Sequence, residues 1–123
     1  MKCPKCFAAM EPVTFNEVEV DRCTKCYGLF FDHLEKETLR DMKGADILDI
    51  GDDFVGARLN EILDVPCPKC ETTKMQQVLH TDPFEIKFEC CPSCKGVYFD
   101  AGEFRDYLDD EIYEEFGEII DKL

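Results

Sequence analysis

Four C-x-x-C pairs punctuate the chain: Cys3 with Cys6, Cys23 with Cys26, Cys67 with Cys70, and Cys91 with Cys94. A turn of this length aims two sulfurs at one point, so such pairs bind thiophilic metals, do redox work or form disulfides. Cys3 lies too close to Met1 for a signal peptide. No apolar run reaches the roughly 18 residues of a membrane span. The expectation is a cytoplasmic protein in a reducing compartment, where disulfides are rare. Metal then becomes the leading chemistry.

The pairs come in two sets. Cys6 and Cys23 are separated by 16 residues, Cys70 and Cys91 by 20, and a gap of roughly 15–20 suits a structural four-cysteine zinc site. A hairpin returns the chain so that a second turn completes a tetrahedron of sulfur. Such a site has no open coordination position, so its zinc cannot activate water, which argues against a hydrolase. A segment of about 40 residues buries too little apolar surface to fold confidently alone. Zinc supplies about 10–16 kcal/mol of binding that doubles as folding energy.

The elements that position these sulfurs are duplicated as well. Val18 and Val20 stand where Ile86 and Phe88 stand, alternating with charged residues, a period of two that predicts half-buried strands entering the second pair of each set. Asn16-Glu17 and His80-Thr81-Asp82-Pro83 supply turn chemistry, giving one β-hairpin per repeat. Gly28-Leu29-Phe30-Phe31 and Gly96-Val97-Tyr98-Phe99 follow as short apolar strands. Their aromatics are expected in a small core, since no surrounding cations offer a base-stacking funnel. Asp32 with Glu35, and Asp100 with Glu103, match a capping box, predicting a helix from each Asp. Asp52-Asp53 would cap a linker helix with Val55, Leu59, Ile62 and Leu63 on one face, stopped by Pro66. From Asp100 to Leu123 runs a candidate amphipathic helix. Its stripe is Phe104, Leu108, Ile112, Phe116, Ile119, Ile120 and Leu123, and its other face is acidic.

The expected fold is a small metal-stabilised α+β protein, two hairpin modules each followed by a helix and ending in a long acidic one. Its divisions are 1–43, a linker over 44–64, and 65–123.

The net charge of −14 would reach about −18 with eight thiolates and two Zn2+ ions. That argues against phosphate backbones as partners, although Lys2, Lys5, Lys25, Lys69 and Lys95 could form a local patch. A basic protein partner, or a homodimer through the C-terminal stripe, is the expectation. Cys90 is left over and reads as a small strand residue packed like a hydrophobe. His33 and His80 belong to no triad pattern, and read as helix-start and turn residues.

Two copies of C-P-x-C, a hydrophobic alternation, C-x-x-C-x-G, an aromatic, Phe-Asp and Glu resemble the zinc ribbon of the transcription factor IIB type. The resemblance covers about residues 1–42 and 65–108. It implies one zinc on Cys3, Cys6, Cys23 and Cys26, and another on Cys67, Cys70, Cys91 and Cys94. The family often has glycine after the second cysteine of each pair, where positive φ is convenient; Phe7, Tyr27, Glu71 and Lys95 stand there. The leading expectation is a non-catalytic adaptor. The alternatives are a nucleic-acid-binding transcription regulator and a rubredoxin-like iron or thiol redox protein.

Overall fold

The computed structural model describes residues 1–15, 18–32, 49–59, 61–80 and 86–103. Each repeat folds into three strands: β1 (Met10–Phe15), β2 (Val18–Cys23) and β3 (Leu29–Phe31), then β4 (Gln76–His80), β5 (Ile86–Cys90) and β6 (Val97–Phe99). In each repeat the long hairpin, then the short third strand, pair antiparallel, with Val13 opposite Val20 and Val78 opposite Phe88. The third strands then pair with each other, Leu29 with Phe99, Phe30 with Tyr98 and Phe31 with Val97. The result is one six-stranded sheet in the order β1-β2-β3-β6-β5-β4.

Position in this sheet explains composition. Pro12 cannot donate to a ladder, and it sits in β1, an outer strand. β3 and β6 lie at the centre and are buried at all three positions, so both faces are covered there and apolar residues run without alternation. Phe30 and Tyr98 join one cluster with the cysteines Cys3, Cys23, Cys26, Cys67 and Cys91. Phe31 packs edge-on against Phe99 at 5.8 Å, and Phe88 meets the same ring at 5.3 Å. The aromatics are core, as their pattern implied.

Between the repeats, α1 spans Asp53–Leu59. The Phe54 amide donates to Asp52 Oδ1 at 2.8 Å, the expected N-cap. Val55 and Leu59 pack against the cysteine–aromatic cluster. Ile62 and Leu63 were expected on the same face. The helix stops before them and they are 40% and 58% exposed. Upstream, buried Asp49 accepts the Gly102 amide on both oxygens, at 2.9 and 3.0 Å, tying the linker to the chain just after β6. The helix expected after Asp32 and the C-terminal helix with its apolar stripe lie outside the described residues, except Asp100–Glu103 at the start of the latter.

Asp100 is not the expected side-chain cap among the described residues, since both of its carboxylate oxygens are buried without a hydrogen-bond partner, although its carbonyl accepts the Glu103 amide at 3.0 Å. Asp100 is buried and its carboxylate faces Lys5 of the other repeat at 3.2 Å. Glu103 accepts from the Lys87 amide at 3.0 Å. The local pattern suits a cap, but the packing of the repeats buries this carboxylate beside a cation, where it is held by charge and not by a hydrogen bond.

Lys5 is likewise displaced from the expected basic patch. Its ammonium is enclosed by Glu89 Oε1 at 2.6 Å, the Leu59 carbonyl at 2.8 Å, the Ile62 carbonyl at 3.1 Å and Asp100 Oδ2 at 3.2 Å. Both carbonyls come from the end of α1 and the turn after it, and the Leu59 oxygen also accepts the Ile62 amide at 3.0 Å. This one cation joins repeat one, the linker and repeat two.

Candidate metal centre

The four C-x-x-C turns are built alike. In three of them the first cysteine's carbonyl accepts from a residue four positions on: Phe7 N to Cys3 O at 3.0 Å, Glu71 N to Cys67 O at 2.8 Å and Lys95 N to Cys91 O at 2.9 Å. Closing so tight a turn drives the residue after each pair to positive φ: 64° at Phe7, 63° at Tyr27, 64° at Glu71 and 64° at Lys95. These are the four positions where glycine would be convenient, and the turn is imposed on residues that resist it. The curled backbone aims amides at sulfur. Lys5 N reaches Cys3 Sγ, Lys25 N and Cys26 N reach Cys23 Sγ, and Cys70 N reaches Cys67 Sγ, each at 3.4 Å; Gly96 N reaches Cys94 Sγ at 3.3 Å.

Each repeat brings its four sulfurs within 4.8 Å of one another: Cys3, Cys6, Cys23 and Cys26 in one group, Cys67, Cys70, Cys91 and Cys94 in the other. The closest approaches are 3.3 Å for Cys6–Cys23, 3.7 Å for Cys3–Cys26 and Cys67–Cys94, and 3.9 Å for Cys70–Cys91. A tetrahedron with Zn–S bonds of about 2.3 Å has edges of about 3.8 Å. These separations fit that figure and are far too long for disulfide bonds of about 2.0 Å. Two four-sulfur groups therefore fit two zinc ions.

The thiols perturb one another. Sharing a hydrogen bond with Cys26 holds Cys3 down to about 4 against the opposing effect of burial, and the same contact pushes Cys26 up. Burial raises Cys67 to about 12. At Cys91 burial acts upward too, but the amides of Cys94 and Ser93 outweigh it and bring the thiol down. A divalent cation resolves this competition by replacing the shared protons.

The two groups are not equivalent. Tyr98, from repeat two, sends its hydroxyl to the sulfurs of repeat one, 3.2 Å from Cys3 Sγ and 3.5 Å from Cys26 Sγ. Its ring end lies over Gly28, where a Cβ would stand 1.9 Å from the Tyr98 oxygen. Phe30 covers Gly96 reciprocally, with a Cβ there 2.6 Å from the ring's Cζ. Each central aromatic thus closes the other repeat's knuckle. The sequence reading placed these rings in the core but missed this exchange; the duplicated glycine two residues before each ring was the available signal.

The model of the transcription factor zinc-finger family matches residues 2–41 and 66–110. The chain belongs to that family. Two family segments in one chain agree with a tandem duplication. This zinc-ribbon family is generally non-catalytic. No curated protein and no solved structure matches the chain.

Of the other zinc-ribbon residues singled out from sequence, Cys90 lies on β5 opposite Val97, fully buried. Burial pushes its thiol up to about 12, which suits inert packing rather than redox chemistry. His80 ends β4, and His33 lies outside the described residues. No helix among the described residues is long and apolar enough to cross a membrane.

Proposed function

We propose that the chain is a non-catalytic adaptor in which two structural zinc ions fold a single platform for a protein partner. Cys3, Cys6, Cys23 and Cys26 hold one ion, and Cys67, Cys70, Cys91 and Cys94 the other. In this reading 1–43 and 65–123 are two ribbons joined by the linker 44–64. The carrying observation is the pair of sulfur tetrads, close enough to fill all four positions of a tetrahedral ion and leave none for water or substrate. When bound, the zinc supplies folding energy and fixed geometry.

The partner surface in this proposal lies over the first knuckle of each repeat. Met1, Lys2, Pro4, Phe7, Pro66, Pro68 and Glu71 line a groove of about 450 Å³ there, with Cys3 and Cys67. Met1 is 50% and Phe7 66% exposed, an apolar rim that a partner would cover. The net charge of −14 favours a basic protein over nucleic acid, and Lys5, one of the few cations near the knuckles, is internal.

Elemental analysis of the purified chain should give two zinc ions, and chelation should abolish its strand signal in circular dichroism. Affinity capture with wild type and Phe7→Ser, together with salt titrations against DNA and RNA, tests the adaptor role. The expected result is a basic protein retained by wild type and lost with Phe7→Ser. Nucleic-acid binding without Phe7-dependent protein capture would overturn it.

A further inference from the structure

The Tyr98 hydroxyl makes the two sulfur tetrads chemically different, and the difference has a direction. Four thiolates around Zn2+ leave a net charge of −2 in a partly buried place, so any donor aimed at sulfur stabilises the loaded site and draws electron density from the sulfur that a proton or electrophile would attack. The first tetrad receives a hydroxyl at Cys3 and Cys26. The second receives none from the equivalent residue, because Phe30 stands where Tyr98 stands in the other half. Enclosure runs the same way. Cys3, Cys23 and Cys26 are buried and only Cys6 is half-buried, whereas both Cys70 and Cys94 are half-buried in the second tetrad.

We infer that the second tetrad, Cys67, Cys70, Cys91 and Cys94, is the exchangeable metal site of this protein. It surrenders zinc to chelators and thiol-directed electrophiles before the first, and Tyr98 is the positioning residue that enforces this order. The inference rests on zinc occupancy of both tetrads, as proposed above. A hydrogen bond to a charged group is among the stronger ones in a protein, so release from the first tetrad should be slower by about tenfold or more.

The test uses the full zinc-loaded chain, exposed to a chromogenic chelator with N-ethylmaleimide present. Native mass spectrometry counts the ions over time, and peptide mapping locates the alkylated cysteines. The expected course passes through a one-zinc species alkylated at the second tetrad and protected at the first. Tyr98→Phe should speed loss from the first tetrad about tenfold with little change at the second. Phe30→Tyr, which gives the second tetrad the missing hydroxyl, should slow its loss and narrow the gap. Simultaneous loss of both ions in wild type, or release rates untouched by both substitutions, overturns the inference. A chain that never carries two zinc ions overturns the occupancy reading beneath it, an outcome visible before any chelator is added.

Discussion

Replacing Lys5 with methionine should be among the most damaging substitutions outside the cysteines. The ammonium contacts two carboxylates, Glu89 at 2.6 Å and Asp100 at 3.2 Å, with all three side chains at most 2% exposed, so solvent screening is slight. It also satisfies the carbonyls of Leu59 and Ile62. Removing one partner of a buried ion pair costs about 3–5 kcal/mol, because the remaining charge is stranded.

The loss should also depend on pH in a defined sense. Burial, then the charge of Glu89, raises Asp100 to about 7, while Lys5 acts in the opposite direction. An acid raised in the folded state opposes folding progressively as pH climbs from its unfolded value to its folded value, and adds no further pH dependence above it. In wild type this group's contribution should therefore flatten above pH 7. Without Lys5 the carboxyl rises further and the decline continues above pH 7, by up to about 1.4 kcal/mol per pH unit. Urea unfolding at buffered free zinc, at pH 6 and pH 8, measures both effects. A loss below about 1 kcal/mol that is equal at the two pH values would refute the account of an internal cation balancing two carboxylates. Adding Glu89→Gln and Asp100→Asn to Lys5→Met should recover most of the loss, since no ion then remains unpaired.

Five further substitutions probe the rest of the fold. Glu71→Gly and Lys95→Gly relieve a positive φ and should each raise the urea midpoint, a gain in unfolding free energy of up to about 1 kcal/mol; a fall would show that the turn is unstrained. Gly28→Ala sets a methyl against the buried Tyr98 ring and should destabilise by roughly 1–3 kcal/mol, with Gly96→Ala comparable against Phe30; thermal melts at fixed zinc will tell. Asp52→Ala removes the cap of α1 and should lower stability by about 1 kcal/mol in the same melts.

The metal chemistry was readable from sequence because thiolate geometry tolerates few spacings: Cys3, Cys6, Cys23 and Cys26 could be grouped before any strand was placed. The strands were readable because Val18, Val20 and Phe88 alternate with charge. Lys5 was not. Its Cys-Pro-Lys-Cys setting is identical to that of Lys69, yet Lys5 is buried and Lys69 is exposed. What separates them is that the end of α1 and the turn after it bring the Leu59 and Ile62 carbonyls to Lys5, a tertiary fact with no local signature. Asp100 misled for a related reason, since a residue well suited to cap a helix is equally suited to neutralise a cation delivered from 95 positions upstream. The exchange between Tyr98 and Phe30 depends on β3 meeting β6, a pairing that no turn in the sequence announces.

That meeting of β3 and β6 speaks to ancestry. Phe30 opposite Tyr98, flanked by Leu29 opposite Phe99 and Phe31 opposite Val97, is a self-complementary junction. One half could have made it with an identical copy related by a molecular dyad, which is the geometry of an isologous dimer. Covalent fusion would release two such halves from sharing one sequence. A lysine could sink inward on one side and stay at the surface on the other, and a single phenolic oxygen could be kept on one strand alone. Asymmetry of this kind is open only to halves that are written out separately in one chain.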